Sequence, residues 1–290
     1  MALPRRYLLA ALIPALVIMV ALVAFPTVYM VTLSLQDYIL TDPARSGDFV
    51  GGNNFARLTS DARFINAARR SLTFTGISVG VSMVLGFWVG KLITQQLRGA
   101  NLARSLLIIP MVTTPLVAGA AFRFMLDLDL GVVNWGLESL GADRIPWLSS
   151  TQLALPSAAL VDAWQWTPFV ALVVAAGLES LPSEQLEAAK VDGASFWQEL
   201  GHIVLPMLRP LLAIVALIRI MDAFREFDKI FIMTAGGPGR ASETLPIYAW
   251  RVAFNAYDIG YAAAVGVAML IAIILVSAAI VNRARAVEGV

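Results

Sequence analysis

Polar residues are so thinly spread along this chain that six apolar stretches stand out, covering residues 7–35, 72–93, 105–125, 153–178, 203–224 and 262–281. A hydrocarbon layer roughly 30 Å thick is crossed by about 20 residues of helix, and a helix satisfies its own backbone polar groups where water is absent. The pattern therefore predicts an all-α, polytopic membrane protein with about six transmembrane helices, forming a single membrane domain over residues 1–290. The first stretch is too long for the apolar core of a secretory signal and lacks a small-residue cleavage site before polar sequence, so it reads as a retained anchor.

An even number of spans places both termini on one side. Arg5, Arg6, Arg283 and Arg285, with Lys91, Arg98 and Arg104 in the second connection, identify that side as the cytoplasm of a cell-membrane protein. The connection 36–70 is then extracytoplasmic, against the trend of its own Arg45, Arg57, Arg63, Arg69 and Arg70.

One connection, 181–206, is too polar to span and carries clear punctuation. Ser183 can cap a short helix with Glu184 and Glu187 near its positive end, and Gly193 supplies a left-handed residue to stop it. Ser195 and Gln198 form the capping box of a second helix. The result is a cytoplasmic helix-turn-helix between the fourth and fifth spans. Its apolar residues Leu186, Val191, Phe196, Trp197 and Leu200 need cover, from lipid headgroups, from the protein's own helix ends or from a partner.

Composition narrows the chemistry. The chain is 59% hydrophobic and 14% charged, and a formal net charge of +1 advertises no nucleic-acid surface. No cysteine is present, which removes disulfides, thiolate metal sites and a thiol nucleophile, and the single histidine, His202, makes a zinc site improbable. His202 reads as structural or partner-facing.

Polar groups at membrane depth are the candidates for a transport path. Asp162, Gln165, Trp166 and Phe169 recur at helical spacing on the fourth span, and Arg219, Asp222, Ala223 and Glu226 do so on the fifth. Asp162 and Arg219 hold the bundle as an interhelical pair, contact or gate a solute, or snorkel from an exposed position, and Trp164 and Trp166 either pack or stack on a solute. An unpaired Arg219 would suit an anionic substrate, whereas Asp162 at hand would neutralise it. Gly236, Gly237 and Pro238 turn the chain after Thr234.

Glu187-Ala188-Ala189, Asp192-Gly193-Ala194, Ile203 and Leu205-Pro206 resemble the signature loop of binding-protein-dependent ABC importer permeases. Pro182, Phe227-Asp228, Thr234 to Pro238, Thr244, Tyr248, Phe254 and Gly260-Tyr261, with Asn54-Phe55 and Phe64, are similar to the larger member of the maltose-type permease pair. The resemblance implies that 181–206 is a coupling loop docking on an ATP-binding subunit. Glu187, Ala188, Ala189, Asp192, Gly193, Leu205 and Pro206 would shape it, with Phe196 and Trp197 as apolar anchors in the partner's groove. It also implies that Asp162, Gln165, Trp166, Phe169, Arg219 and Ala223 fall at sugar-contact positions. The implied assembly comprises a second permease subunit, two ATP-binding subunits and an extracytoplasmic solute-binding protein, importing a sugar or polyol across membrane lipid by alternating access.

No Gly-x-x-x-x-Gly-Lys-Ser/Thr phosphate loop occurs, so the chain is expected to be no enzyme and to hold no cofactor, with ATP and magnesium used by the partner subunit. An ion-coupled secondary transporter is the competing reading, although no inverted repeat is evident. A channel lacks a filter or charge-ring pattern, and an intramembrane enzyme lacks a nucleophile or metal motif.

Overall fold

The computed structural model describes residues 12–14, 16–95 and 100–288. Arg5, Arg6, Arg98 and the start of the first stretch at Tyr7 lie outside the described residues. Twelve helices and one two-stranded hairpin make up the rest. They are α1 (Leu12–Ser34), β1 (Gln36–Tyr38), β2 (Ser46–Phe49), α2 (Asn53–Ser60), α3 (Ala62–Thr94), α4 (Ala100–Val112), α5 (Pro115–Met125), α6 (Val132–Ser139), α7 (Ala154–Glu179), α8 (Ser183–Val191), α9 (Phe196–Phe224), α10 (Asp228–Thr234), α11 (Leu245–Phe254) and α12 (Ile259–Glu288). Among the described residues five helices, α1, α3, α7, α9 and α12, are long and apolar enough to cross a membrane, and α4 with α5 makes a sixth span if that bent pair counts as one.

The pair turns through 97° at residues 113–114. Pro115 is the cause, because its ring drives the preceding residue out of the helical region, and Thr114 is accordingly extended at φ −65°, ψ 146°. The uninterrupted span expected over 105–125 is therefore two helical halves. A second difference lies in the connection 36–70, where α3 already begins at Ala62 and continues as one helix of 33 residues.

Packing sorts the chain into two units, one comprising the residues up to Ile65 with Tyr248–Ala272, the other Asn66–Ile247 with the end of α12. In the first, β1 pairs antiparallel with β2, with Gln36 opposite Phe49. Asn54 on α2 is buried and donates Nδ2 to the carbonyls of Ser34 (3.0 Å) and Gln36 (2.8 Å), accounting for backbone acceptors where α1 ends. Asp61 precedes α3 and accepts the amide of Arg63 (2.8 Å), the Tyr261 hydroxyl (2.8 Å) and the Tyr248 hydroxyl. Burial raises the Asp61 pKa, but these donors outweigh it and hold the carboxyl below its ordinary range. Arg57 pairs with Asp258 at 2.8 Å and lies 3.9 Å over the Tyr261 ring.

The second unit is centred on α7. Ala154, Ala158, Ala159, Ala163, Ala171 and Ala175 are all buried, and small residues let neighbouring helices come close without a hydrophobic drive between them. At Gly86 and Gly90 of α3 the approach is close: a Cβ would lie 2.5 Å from Val170 Cβ and 2.6 Å from the Ala171 carbonyl oxygen. Phe74, Val79, Leu155, Val161, Ala223 and Ile230 form one apolar cluster, and Phe87, Val170, Val174, Leu200, Val204 and Leu208 form another.

Candidate functional site

Three helices bring a charged cluster together in the second unit. Asp162 on α7 is fully buried, and its carboxylate meets Arg219 Nη2 of α9 and Lys229 Nζ of α10, both at 2.6 Å. Arg219, 1% exposed, also pairs with Asp222 at 2.8 Å, while Lys229, 0% exposed, pairs with Glu226 at 2.8 Å and donates to Gln165 Oε1 at 2.9 Å. Ser78 of α3 donates to Asp162 and accepts from Arg219. Arg225 pairs with the other oxygen of Asp222 at 3.4 Å. The cluster thus sets Asp162, Asp222 and Glu226 against Arg219, Arg225 and Lys229, three charges of each sign. This balance makes burial tolerable, because each ion would be costly alone in a poorly hydrated interior.

Of the six expected path residues, Trp166, Phe169 and Arg219 line one cavity of about 310 Å³, together with Ile218, Met221, Asp222 and Arg225. The two rings meet edge to face at 6.1 Å, and the Arg219 guanidinium stands 5.0 Å over Trp166. Arg219 Nε and Trp166 Nε1 are enclosed without a hydrogen-bond partner among the described residues. The other three lie elsewhere. Asp162 sits behind Arg219 in the ionic cluster, and Ala223 belongs to the apolar core. Gln165 donates Nε2 to the Thr113 carbonyl at 2.5 Å, bonding backbone at the α4–α5 break as well as receiving Lys229. The Asp162–Arg219 pair is therefore present, and the expected shared face of Arg219, Asp222, Ala223 and Glu226 ends early: α9 stops at Phe224, and Glu226 reaches Lys229 from the turn beyond.

The loop 181–206 is a helix-turn-helix. Pro182 occupies the N-cap of α8 in extended conformation, so Ser183 is its first residue and provides no side-chain cap, contrary to the sequence reading. Glu184 is in the first turn. Gly193 takes φ +76°, a conformation costly for a residue with a Cβ. The Ser195 amide donates to Gln198 Oε1 at 2.8 Å, completing the capping box. Asp192 ends α8; Glu187 and Ala188 are exposed and Ala189 is buried. Ala188, Ala189, Asp192 and Gly193 border an open cavity of about 600 Å³ that His202 also lines, His202 Nδ1 lying 3.1 Å from the Gln198 carbonyl. Near its start α9 widens into a π turn over Leu200–Val204, just ahead of exposed Leu205 and Pro206, where the proline has no amide to donate to an ordinary helical bond. Val191 is 87% and Trp197 68% exposed, whereas Leu200 is buried and Leu186 packs on the cluster around it.

A family model described as the binding-protein-dependent transport system inner membrane component matches residues 76–287, spanning both the ionic cluster and the loop. The chain belongs to this family. The permease is 37% identical over 270 residues to a probable ABC transporter permease protein of Sinorhizobium fredii, covering 93% of this chain and 87% of the relative. It is 30% identical over 249 residues to the trehalose/maltose transport system permease protein of Thermococcus litoralis, covering 86% and 82%. It is 32% identical over 268 residues to the trehalose transport system permease protein of Mycobacterium tuberculosis, covering 91% and 83%. Its fold matches a chain in the crystal structure of a bacterial ABC transporter involved in the import of the acidic polysaccharide alginate, with a TM-score of 0.83 at 20% identity, covering 97% of this chain and 96% of that one. The permease is an all-α membrane component of an ABC importer.

Sequence reasoning passed over Lys229, the most enclosed cation of the permease's ionic cluster. It stands outside the apolar stretches, so membrane depth gave no signal. The spacing from Glu226 to Lys229 was available, since residues three apart on one turn are neighbours. Trp88 and Lys91 of α3, which meet Phe196, were also missed, because nothing local in a sequence states which helix end a surface loop will touch.

Proposed function

We propose that this permease imports an uncharged saccharide or polyol by alternating access, energised by two separate ATP-binding subunits and supplied by an extracytoplasmic binding protein, with a second permease subunit completing the path. The observation that carries the substrate reading is the cavity walled by Trp166, Phe169, Arg219 and Asp222. Aromatic faces suit the C–H faces of a sugar ring, and guanidinium and carboxylate groups suit its hydroxyls. Arg219 is neutralised by Asp162 and Asp222, so the cavity offers an anion no free cation from that residue. The naming of two relatives as trehalose/maltose and trehalose transport system permeases supports the same substrate class. The loop 181–206 serves as the docking segment for an ATP-binding subunit, and both termini face the cytoplasm.

The test is ATP-dependent uptake into proteoliposomes containing the whole importer, with trehalose or maltose competed by neutral and by carboxylated or sulfonated saccharides. Inhibition by neutral saccharides, with Trp166→Ala and Phe169→Ala each raising KM by about tenfold, or roughly 1.4 kcal/mol, supports the reading. Preferential inhibition by the anionic compounds contradicts it.

A further inference from the structure

Trp88 lies near the end of α3, away from the cavity. Its ring stacks on Phe196 at 6.4 Å and 18°, meets Trp197 edge-on at 6.0 Å, and meets Phe87 edge-on at 5.6 Å. One turn further along α3, Lys91 Nζ stands 4.0 Å over the Phe196 ring. Two successive turns of α3 therefore grip the first turn of α9, where the coupling-loop motif enters the membrane helix. These contacts hold Phe196 against α3, with 47% of Phe196 and 68% of Trp197 left exposed.

The same helix reaches the ionic cluster. Ser78, ten residues before Trp88 and so about 15 Å along the helix axis, bonds both Asp162 and Arg219. Between these two ends, Gly86 and Gly90 bring α3 so close to α7 that a Cβ at either position would crowd Val170 or the Ala171 carbonyl. α3 therefore joins the second helix of the loop to the ionic cluster.

We infer that Trp88 is a positioning residue of the transport cycle: through the Trp88–Phe196–Trp197 cluster, α3 carries displacement of the loop 181–206 to the Arg219–Asp162 cluster beside the cavity. This rests on the loop being the docking segment for an ATP-binding subunit. The link works because the rings of Trp88, Phe196 and Trp197 are in mutual contact, with Lys91 on the next turn of α3 adding a second tie to Phe196.

The experiment uses the complete importer in proteoliposomes with its loaded binding protein. It measures recovery of the ATP-binding subunit, stimulated ATP hydrolysis and saccharide delivered per ATP. Trp88→Ala is expected to keep subunit recovery and hydrolysis near wild type and to lower saccharide per ATP by about tenfold. Trp88→Phe restores most of the ratio. Because the native chain has no cysteine, Trp88→Cys with Phe196→Cys can be joined by a short thiol cross-linker. The ratio is expected to be low before joining and to recover after it. An unchanged ratio in Trp88→Ala overturns the inference, as does parallel loss of hydrolysis and subunit recovery, which marks Trp88 as a structural residue only. A cross-link that stops transport also overturns it, since the clamp would then have to open in the cycle. Glu187→Lys separates the underlying reading: normal subunit recovery and coupling in that variant defeats the docking assignment itself, independently of Trp88.

Discussion

Asp162 is asked to satisfy two cations at once, and that shared demand gives the residues around it their energetic weight. Lys229→Met removes one cation and leaves Asp162 and Glu226 in excess, so it is expected to destabilise the permease by roughly 3–5 kcal/mol, the usual cost of stranding a buried charge. Detergent-solubilised permease would show this as a lowered melting temperature, and adding Asp162→Asn to Lys229→Met should recover part of the loss. Independent, additive effects would show that the ions are not one network. Asp61 makes a separate prediction. Its folded pKa is depressed, so its stabilising effect is complete above the ordinary aspartate value of about 4 and fades as pH falls from there through the folded value. Acidification below that value should lower the melting temperature of the wild type more steeply than that of Asp61→Asn. At this scale the sequence exposed the charges at membrane depth, Asp162 and Arg219, because charge there is conspicuous. It concealed Lys229 and the bonds of Gln165, because these follow from the α4–α5 break and the path of α10.

Among the elements, agreement is closest where local chemistry decides. Gly193 and the Ser195–Gln198 box set the two helices of 181–206 through interactions spanning three residues, and both are as the sequence requires. Gly193→Ala would hold its left-handed conformation at a cost of about 1–2 kcal/mol, and circular dichroism with limited proteolysis should show easier cleavage within 181–206. Ser183 failed as a cap because Pro182 already holds the extended N-cap geometry. The span 105–125 was read as continuous because its hydropathy is continuous, although the geometry forced by Pro115 on Thr114 was available in the sequence. Gly86 and Gly90 were legible as a close-packing spacing and went unused. Gly90→Leu is expected to separate α3 from α7 and abolish accumulation of folded permease, as measured by monodisperse recovery in mild detergent.

At the scale of the whole molecule, the permease holds a balanced ionic cluster and an aromatic cavity within one packing unit that also presents the helix-turn-helix loop. Hydropathy alone conveyed the class of fold, since lipid permits few solutions for a spanning backbone. The transport assignment came from the loop's residues and from family membership, because no physical rule converts six apolar stretches into a particular transporter. The central claim is that this permease moves its solute with energy supplied by separate ATP-binding subunits. It is tested most directly by affinity purification from native membranes, followed by ATPase and uptake assays in liposomes with a loaded binding protein. The account predicts recovery of an ATP-binding subunit and a second permease, with hydrolysis stimulated by the loaded binding protein and uptake that stops without ATP. A chain that purifies alone and carries saccharide down an imposed ion gradient without ATP would contradict it.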